Sequence, residues 1–333
     1  MALGGVAIDD LRAGAAHGSF SASSTHFPRK AKSCIFLFMQ GGVSQMDSFE
    51  YKPRLRELHG KPLSRIPDIS GELQGRLSFP HVTIGSPFEF AQHGQSGRWL
   101  SDRFPNLAGH VDDLAFIHGI KTDNQNHGPS TLHVTTGSQF PGSPSVGSWV
   151  GYGLGSGNRN MPGYMVIQDP RGAPVNGAAV WSNGYLPAAY QGIRLSPGVE
   201  PFRHLNIPKG VTPATHRRKL ELLRRLNEQH RATRGHQSEL EARIRSYELA
   251  YRMQSAAPEA VDLSRESEAT RRLYGFGNRD TEPFGRCCLL ARRMVERGVR
   301  FVQLFNGAYQ TGGEGGSNWD GHKVLKEQYS KHG

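Results

Sequence analysis

Apolar residues fall into a few continuous runs along the chain, and each run ends in glycines or polar residues. The runs are "KSCIFLFMQGG" at 32–42, "DDLAFIHGI" at 112–120, "GYMVIQD" at 163–169 and "RGVRFVQLFNG" at 297–307. A short continuous apolar run is typical of a parallel strand that is buried on both faces. The pattern therefore predicts four strands, the second of them at Leu114–Ile120.

Helical spacing of apolar residues appears between the last two runs. The positions are Leu220, Leu223, Leu226, Leu240, Ile244 and Leu249. A further helix is predicted at "GRCCLLARRMVERG" and a shorter one at "SVGSWV". Because strands alternate with helices, we expect an α/β fold with a mostly parallel sheet flanked by helices.

Length and composition predict one large domain with many loops. The chain has 333 residues, 41 of them glycine and 20 proline, and 36% are hydrophobic. We expect a folded domain at 30–333, preceded by a flexible segment at 1–29 that contains the low-complexity run "GSFSASS". Three cysteines are too few for a disulfide framework or a zinc site, so Cys34, Cys287 and Cys288 are predicted to be buried thiols.

The net charge of +11 raises the question of a nucleic-acid partner. Much of the excess lies between residues 216 and 297, where Glu and Arg alternate at helical spacing. That arrangement indicates a solvated helix face, and we expect no nucleic-acid binding. No run of about 18 apolar residues occurs, so no transmembrane segment is expected. The glycine string at 151–157 lacks the G-x-G-x-x-G spacing of dinucleotide-binding loops.

Ligands in parallel sheets bind beyond the carboxyl ends of strands, so the polar loops there are the first candidates for a site. The first loop, "QGGVSQMDSFE", offers Asp47, whose hard oxygens suit a divalent metal. A structural alternative is a tight turn in which Asp47 caps a short helix. The third loop offers Asp320 and His322, which stand two residues apart and could bind one ion.

The second loop, "KTDNQNHGPSTLHVTTG", presents Asn126, His127, Ser130 and His133. A histidine here could bind a metal or transfer protons near neutral pH, or could simply be a hydrogen-bonded loop residue. Ser130 could be a nucleophile if a base activated it, but the sequence identifies no such base.

Several longer stretches resemble one family. They include "KAKSCIFLFMQGGVSQMDSFEYKP", "NHGPSTLHVTTGSQFPGSPSVGSWVGYGLGS", "SELEARIRSYELAYRMQ", "FGRCCLLARRMVERGVRFVQL" and "NWDGH", and with shorter matches they run from Lys30 to His322. Together they resemble the domain of unknown function 1501 family, whose members look like relatives of the alkaline phosphatase and sulfatase superfamily. The resemblance implies an alkaline phosphatase-like α/β fold.

The resemblance also implies site residues. "HGPSTLHVTTG" is similar to the sulfatase motif C-x-P-S-R followed by Thr-Gly, which puts His127 at the nucleophile position, beside Asn126, and Thr131 at the position of the arginine. The motif contains no cysteine that could become the formylglycine of sulfatases. At the first strand, Gln40 stands where the superfamily has a metal-binding Asp.

The implied metal ligands are Asp47, Asp320 and His322, for zinc, manganese, calcium or magnesium.

Two functions follow as hypotheses. The first is a metal-dependent hydrolase that acts on a phosphate or sulfate ester of a small molecule or glycan. The second is a non-catalytic, exported binding or scaffold protein that retains the hydrolase fold. Family members commonly carry a twin-arginine export signal, so we expect a periplasmic or extracellular location. They also continue past the D-x-H pair, so we expect this chain to be a fragment cut at both ends.

Overall fold

The computed structural model describes residues 30–63, 82–124, 126–196, 198, 201–202, 207, 210–234, 238–308, 318–320 and 325–332. The predicted flexible segment at 1–29 and the predicted ligand His322 lie outside these residues. Contacts divide the chain into two compact units. Unit 1 comprises Met1–Gln40 and Thr122–Gln310, and unit 2 comprises Gly41–Lys121 and Thr311–Gly333.

Strands and helices are numbered in chain order. The strands are β1 Cys34–Met39, β2 Phe90–His93, β3 Arg98–Ser101, β4 Tyr164–Ile167, β5 Ile193–Leu195 and β6 Phe301–Asn306. The helices are α1 Pro53–Glu57, α2 Pro105–Ala108, α3 His127–Thr136, α4 Val146–Leu154, α5 Pro213–Arg234, α6 Ser238–Val261, α7 Glu268–Leu273, α8 Glu282–Glu296 and α9 Leu325–His332.

A four-stranded sheet in the order β1-β6-β4-β5 forms the centre of unit 1. Every neighbouring pair is parallel, with Cys34 opposite Phe301 and Ile167 opposite Leu304. Helices and turns cover both faces of the sheet, as parallel sheets require. The predicted α/β fold with a parallel sheet flanked by helices is therefore confirmed.

The central strand β6 is buried along its whole length and contributes to two apolar clusters. Val302 and Leu304 pack with residues of α6 and α8 on one face. Phe301 and Phe305 pack on the other face with Leu132 of α3. Successive side chains of a strand point to opposite faces, so one continuous apolar run supplies both clusters.

One polar residue interrupts the apolar run of β6. Gln303 is buried, and its Oε1 accepts a hydrogen bond from the hydroxyl of Tyr164 on β4. Its Nε2 donates to the carbonyl of Val180 at 3.4 Å. Burial raises the pKa of the Tyr164 phenol above its ordinary value, so this hydroxyl remains a donor. The amide is thus satisfied at both ends.

Three of the four predicted strands are confirmed as β1, β4 and β6. The predicted strand at Leu114–Ile120 is wrong, because this segment follows a 3-10 turn at Val111–Asp113 and pairs with no strand in the described chain. Ile117 and Ile120 are 77% and 73% exposed there, so their apolar side chains do not enter a sheet. The predicted helices are confirmed as α4, α5, α6 and α8.

Strand β1 departs from the prediction of burial on both faces. It lies at an edge of the sheet, and Ile35 and Leu37 are 40% and 43% exposed. Cys34 at its start is exposed, which corrects the prediction of a buried thiol, whereas Cys287 is buried and Cys288 is half-buried. An edge strand has a sheet neighbour on one side only, which explains the difference from β4 and β6.

Unit 2 contains the antiparallel hairpin of β2 and β3 together with α1, α2 and α9. Its interior is rich in aromatic rings. Trp319 and Tyr329 of the C-terminal segment meet edge to face at 5.3 Å, and Phe104 packs against both. Within the described chain, none of the helices combines the length and apolar character needed to cross a bilayer.

Candidate functional site

The carboxyl ends of β1 and β6 carry buried polar side chains in unit 1. The main-chain N–H of Gln40 donates to the carbonyl of Asn306 at 2.8 Å, and both residues are buried. Oε1 of Gln40 has no hydrogen-bond partner among the described residues. Strands that run parallel end at the same edge, so this is the edge at which ligands of such sheets bind.

Asp169 follows β4 at the same edge, and its carboxylate accepts four hydrogen bonds. Its Oδ1 accepts from the main-chain N and the Nε of Arg171 at 2.8 and 2.7 Å. Its Oδ2 accepts from Nη2 of Arg171 at 2.6 Å and from the N–H of Gly307 at 2.7 Å. This bidentate ion pair ties the turn after β4 to the end of β6. Asp169 therefore acts as an anchor of the edge.

The loop after β1 belongs to unit 2 and carries the predicted ligand Asp47. Asp47 ends a 3-10 turn that Ser44 precedes, and the hydroxyl of Ser44 donates to its Oδ2 at 2.6 Å. The hydroxyl of Ser48 donates to the carbonyl of Ser44 at 2.7 Å. The side chain of Asp47 makes no cap for a helix here, because Asp47 lies within the turn and accepts from Ser44, three residues before it.

A buried tyrosine of α9 supports this turn. The N–H of Ser44 donates to the phenolic oxygen of Tyr329 at 2.8 Å. The pKa of Tyr329 is raised to about 12, chiefly by burial; the N–H of Ser44 lowers it and the negative charge of Asp47 raises it, and both effects are included in that value. The phenol is therefore neutral at neutral pH and retains its own proton.

The segments that carry Asp47 and Asp320 touch through Gly41. Gly41 has φ +93°, and a Cβ at this residue would lie 2.5 Å from the main-chain N of Asp320 and 2.8 Å from its Cβ. Only glycine permits this close approach. The N–H of Asp320 donates to Oδ1 of Asn318 at 3.0 Å, which shapes the turn locally. The structure thus brings the segments that carry Asp47 and Asp320 into contact.

The described residues supply oxygen ligands but an incomplete set. Asp47 and Asp320 are both half-buried, and their hard carboxylate oxygens suit the divalent cations considered above. Among the described residues, no group of three or more His, Cys, Asp or Glu side chains is arranged to hold a metal ion. The donor chemistry fits a metal, and a third protein ligand would have to come from a residue such as His322.

The predicted catalytic residues lie at the start of α3 in unit 1. Asn126 is the N-cap residue, and its Oδ1 accepts from the N–H of Gly128 at 3.1 Å. His127 is the first helical residue and is half-buried. The carbonyl of Gly128 accepts from Nδ2 of Asn176 at 2.7 Å, which links this helix start to the segment after β4.

The nearby hydroxyl of Ser130 is already engaged. It donates to the carbonyl of Asn124 and accepts from the hydroxyl of Thr122 at 2.8 Å. Nδ1 of His133 lies 3.9 Å from Oδ2 of Asp123, which is too long for a hydrogen bond. The Ser130 hydroxyl is thus held between a carbonyl and a second hydroxyl.

Comparison with known sequences decides the family. A family model described as "Protein of unknown function (DUF1501)" matches residues 31–333. The chain belongs to the DUF1501 family. No curated protein and no solved structure matches the chain.

In this DUF1501 protein, the residue pair that sequence reasoning missed is Asp169 and Arg171. The signal was present in "GYMVIQDPRG", where an aspartate directly follows a buried strand and an arginine comes two residues later. An acidic residue at the carboxyl end of a parallel strand is well placed to join neighbouring loops. The sequence does not reveal that the Asp169 carboxylate forms an ion pair with Arg171 and not with a ligand.

Proposed function

We propose that this protein is a metal-dependent hydrolase of phosphate or sulfate esters, related to the alkaline phosphatase and sulfatase superfamily. The observation that carries the proposal is the close approach of Gly41 to Asp320. It joins the loop that bears Asp47 to the segment that bears Asp320, and both offer hard carboxylate oxygens. The parallel sheet with polar residues at its carboxyl edge is compatible with this chemistry.

Asp47, Asp320 and His322 are the proposed ligands, and all three belong to unit 2. A divalent metal held by these residues would neutralise charge on the oxygens of a bound ester and so favour displacement of the leaving group. Ser44 orients Asp47 through its 2.6 Å hydrogen bond, and Tyr329 holds the main chain of Ser44. These contacts fix the Asp47 carboxylate before any ligand binds, which reduces the cost of ordering it.

His127 is the proposed nucleophile or proton donor to the leaving group, and Asn126 supports it by capping α3. These roles rest on the resemblance of "HGPSTLHVTTG" to the sulfatase motif. The start of a helix carries partial positive charge, which favours an anion near His127. The proposal includes no formylglycine, because the motif contains no cysteine.

A second candidate is a binding protein that has lost turnover. One observation favours it specifically. Thr131, which stands at the position of the sulfatase arginine, has an uncharged side chain and is buried, so it supplies no positive charge to a substrate anion. Asn126 is also engaged as a helix cap. Under this alternative, metal and ligand bind but no ester is cleaved.

Metal content and turnover test the proposal together. The chain is purified without chelator, its metals are measured by mass spectrometry, and p-nitrophenyl phosphate and p-nitrophenyl sulfate are supplied as substrates. We expect bound divalent metal, which Asp320→Ala and His322→Ala each remove, whereas the exposed-carboxylate control Asp113→Ala retains it. We expect His127→Ala to abolish turnover while metal content stays unchanged.

The two candidates give different results. Metal without turnover of either ester supports the binding protein. Metal content that is identical in the wild type and in the Asp47, Asp320 and His322 variants would contradict the ligand assignment.

A further inference from the structure

Unit 2 contains an open cavity of about 500 Å³ beside the β2–β3 hairpin. This volume lies within the range of small-ligand sites, about 300–1,000 Å³. Its lining includes Glu50, Tyr51, Arg98, Trp99, Phe116 and His118. Both aromatic and charged side chains line the cavity, and none of these residues belongs to the proposed hydrolase site.

Tyr51 and Trp99 form an aromatic platform. Their ring centroids are 4.6 Å apart with an angle of 37° between the planes. Tyr51 also stacks on Phe90 at 5.1 Å, so it contacts two rings of the hairpin. Trp99 remains 39% exposed. Because the rings pack against one another, they offer one open face and do not form a slot that would enclose a flat ligand from both sides.

Charged side chains surround this platform. Glu50 accepts hydrogen bonds from Nδ1 of His118 at 2.8 Å and from Nζ of Lys52 at 3.0 Å. His118 first and Lys52 second lower the pKa of Glu50, so its carboxylate is ionised at neutral pH. The cluster thus provides a fixed anionic acceptor with polar groups on either side, which suits ligand hydroxyl groups.

Arg98 supplies the opposite charge. Its guanidinium carbon lies 5.2 Å above the ring of Phe116, which holds the group in place from one side. Within the described chain, Arg98 contacts the ring of Phe116 and forms no ion pair with a carboxylate. A guanidinium that is held but has no counter-ion can bind a sulfate or carboxylate in a bidentate manner.

We propose that this cavity binds an acidic saccharide, a pyranose ring that carries a sulfate or carboxylate group. The C–H face of the ring packs on Trp99, the acidic group pairs with Arg98, and ring hydroxyls bind Glu50 and His118. A simple inorganic anion would make no use of the aromatic platform, and an aromatic anion would gain more from a two-sided slot. This binding needs neither the proposed metal nor hydrolysis.

Calorimetric titration of the full 333-residue chain tests the proposal. The probes are a chondroitin 4-sulfate tetrasaccharide, the neutral tetrasaccharide N-acetylchitotetraose, inorganic sulfate and AMP. We expect the sulfated tetrasaccharide to bind at least about tenfold more tightly than the other three. Binding should be equal with and without EDTA, so failure of the hydrolase assay would leave this result unaffected.

Variants locate the site. Trp99→Ala should weaken binding of the sulfated tetrasaccharide by about tenfold or more. Trp149→Ala removes a similarly exposed tryptophan of unit 1 and should leave binding within about twofold of the wild type. Arg98→Gln should remove the preference for the sulfated over the neutral tetrasaccharide, while Arg54→Gln, at an exposed ion pair of α1, should not.

Trp99→Phe covers the case in which the alanine variant does not fold. It keeps an aromatic face and should retain binding within about fivefold. The proposal is overturned if the sulfated tetrasaccharide fails to bind at millimolar concentration, if AMP binds as tightly, or if EDTA abolishes binding. Equal binding by the Arg98→Gln and Arg54→Gln variants would also overturn it.

Discussion

The main-chain N–H of Ser44 donates a 2.8 Å hydrogen bond to the phenolic oxygen of Tyr329. Residues near the beginning and end of unit 2 are thereby joined within one turn. Ser44 also donates from its hydroxyl to Asp47, so the phenol, the turn and the carboxylate form one hydrogen-bonded chain. The position of the Asp47 carboxylate therefore depends on a helix that is distant in sequence.

Tyr329→Phe should destabilise the protein without changing its packing. The substitution removes only the oxygen and leaves the Ser44 N–H without its acceptor, at a cost of about 1–2 kcal/mol in the free energy of unfolding. Urea unfolding measures the change. Tyr185→Phe serves as the control, because Tyr185 is 72% exposed. Equal stability of the two variants would show that the hydrogen bond contributes nothing.

Gly41→Ala and Gly42→Ala should differ, although the two glycines have nearly the same backbone conformation. Their φ angles are +93° and +92°, so the cost of a positive φ is common to both variants. Only at Gly41 would the added Cβ meet Asp320, whereas nothing lies within 4 Å of it at Gly42.

We expect Gly41→Ala to be less stable than Gly42→Ala by about 1–3 kcal/mol, the usual cost of overpacking. Denaturant unfolding of both variants measures this difference. Metal content under the same purification should also fall in Gly41→Ala alone. Indistinguishable variants would argue against a close approach between the two segments.

Asp169→Asn should lower the stability of unit 1 strongly. The Asp169 side chain is fully buried, and the substitution removes the negative charge that Arg171 and the Gly307 N–H both contact. Breaking such a pair costs about 2–4 kcal/mol, somewhat less than for a pair with both partners buried, because Arg171 is partly exposed. Glu221→Gln, at an exposed ion pair on α5, should leave the melting temperature unchanged. A melting temperature equal to that of the wild type would contradict the anchoring role.

Glu266 should make stability depend on pH in the acidic range. Hydrogen bonds from Arg292 and then Arg293 lower its pKa below the ordinary value of 4.5. A carboxylate whose pKa is lowered on folding contributes stability above its unfolded pKa and loses it as pH falls through the folded pKa. Stability should therefore decline as pH falls below about 4.5.

Urea unfolding of the wild type and Glu266→Gln between neutral and acidic pH measures this decline. The variant should be less stable at neutral pH, and the difference should shrink in acid. Glu268→Gln, at an exposed ion pair of α7, should follow the wild-type curve. A constant difference across the whole pH range would show that Glu266 contributes through packing alone.

Local sequence pattern was sufficient for the buried strands and long helices but not for every element. The runs at β4 and β6 are continuous and end sharply, so their burial on both faces follows directly. The run near Ile117 has similar composition, but a strand also needs a neighbour, and a pairing partner is a property of the whole fold. The short strand β5 has only three residues, too few to show a period.

Residue type suggests candidate ligands, but it does not give their arrangement. Asp47 and Asp320 are predicted ligands because carboxylates after strands are typical of ligand loops. The contact through Gly41 brings together residues that are far apart in the sequence, and spacing along the chain does not predict it. The hairpin of β2 and β3, with the aromatic platform that it carries, was missed because its strands alternate weakly between apolar and polar residues.

Gln303 favours one register of strand β6 in the central sheet during folding. A shift of β6 by one residue would turn every side chain of the strand to the opposite face. The apolar neighbours would tolerate the exchange, since both faces are lined by large hydrophobic groups. The amide would not, because it would leave Tyr164 and Val180 and enter a layer of methionine and leucine side chains without a partner. Gln303 therefore disfavours the shifted registers of β6 that burial of its apolar side chains alone would permit.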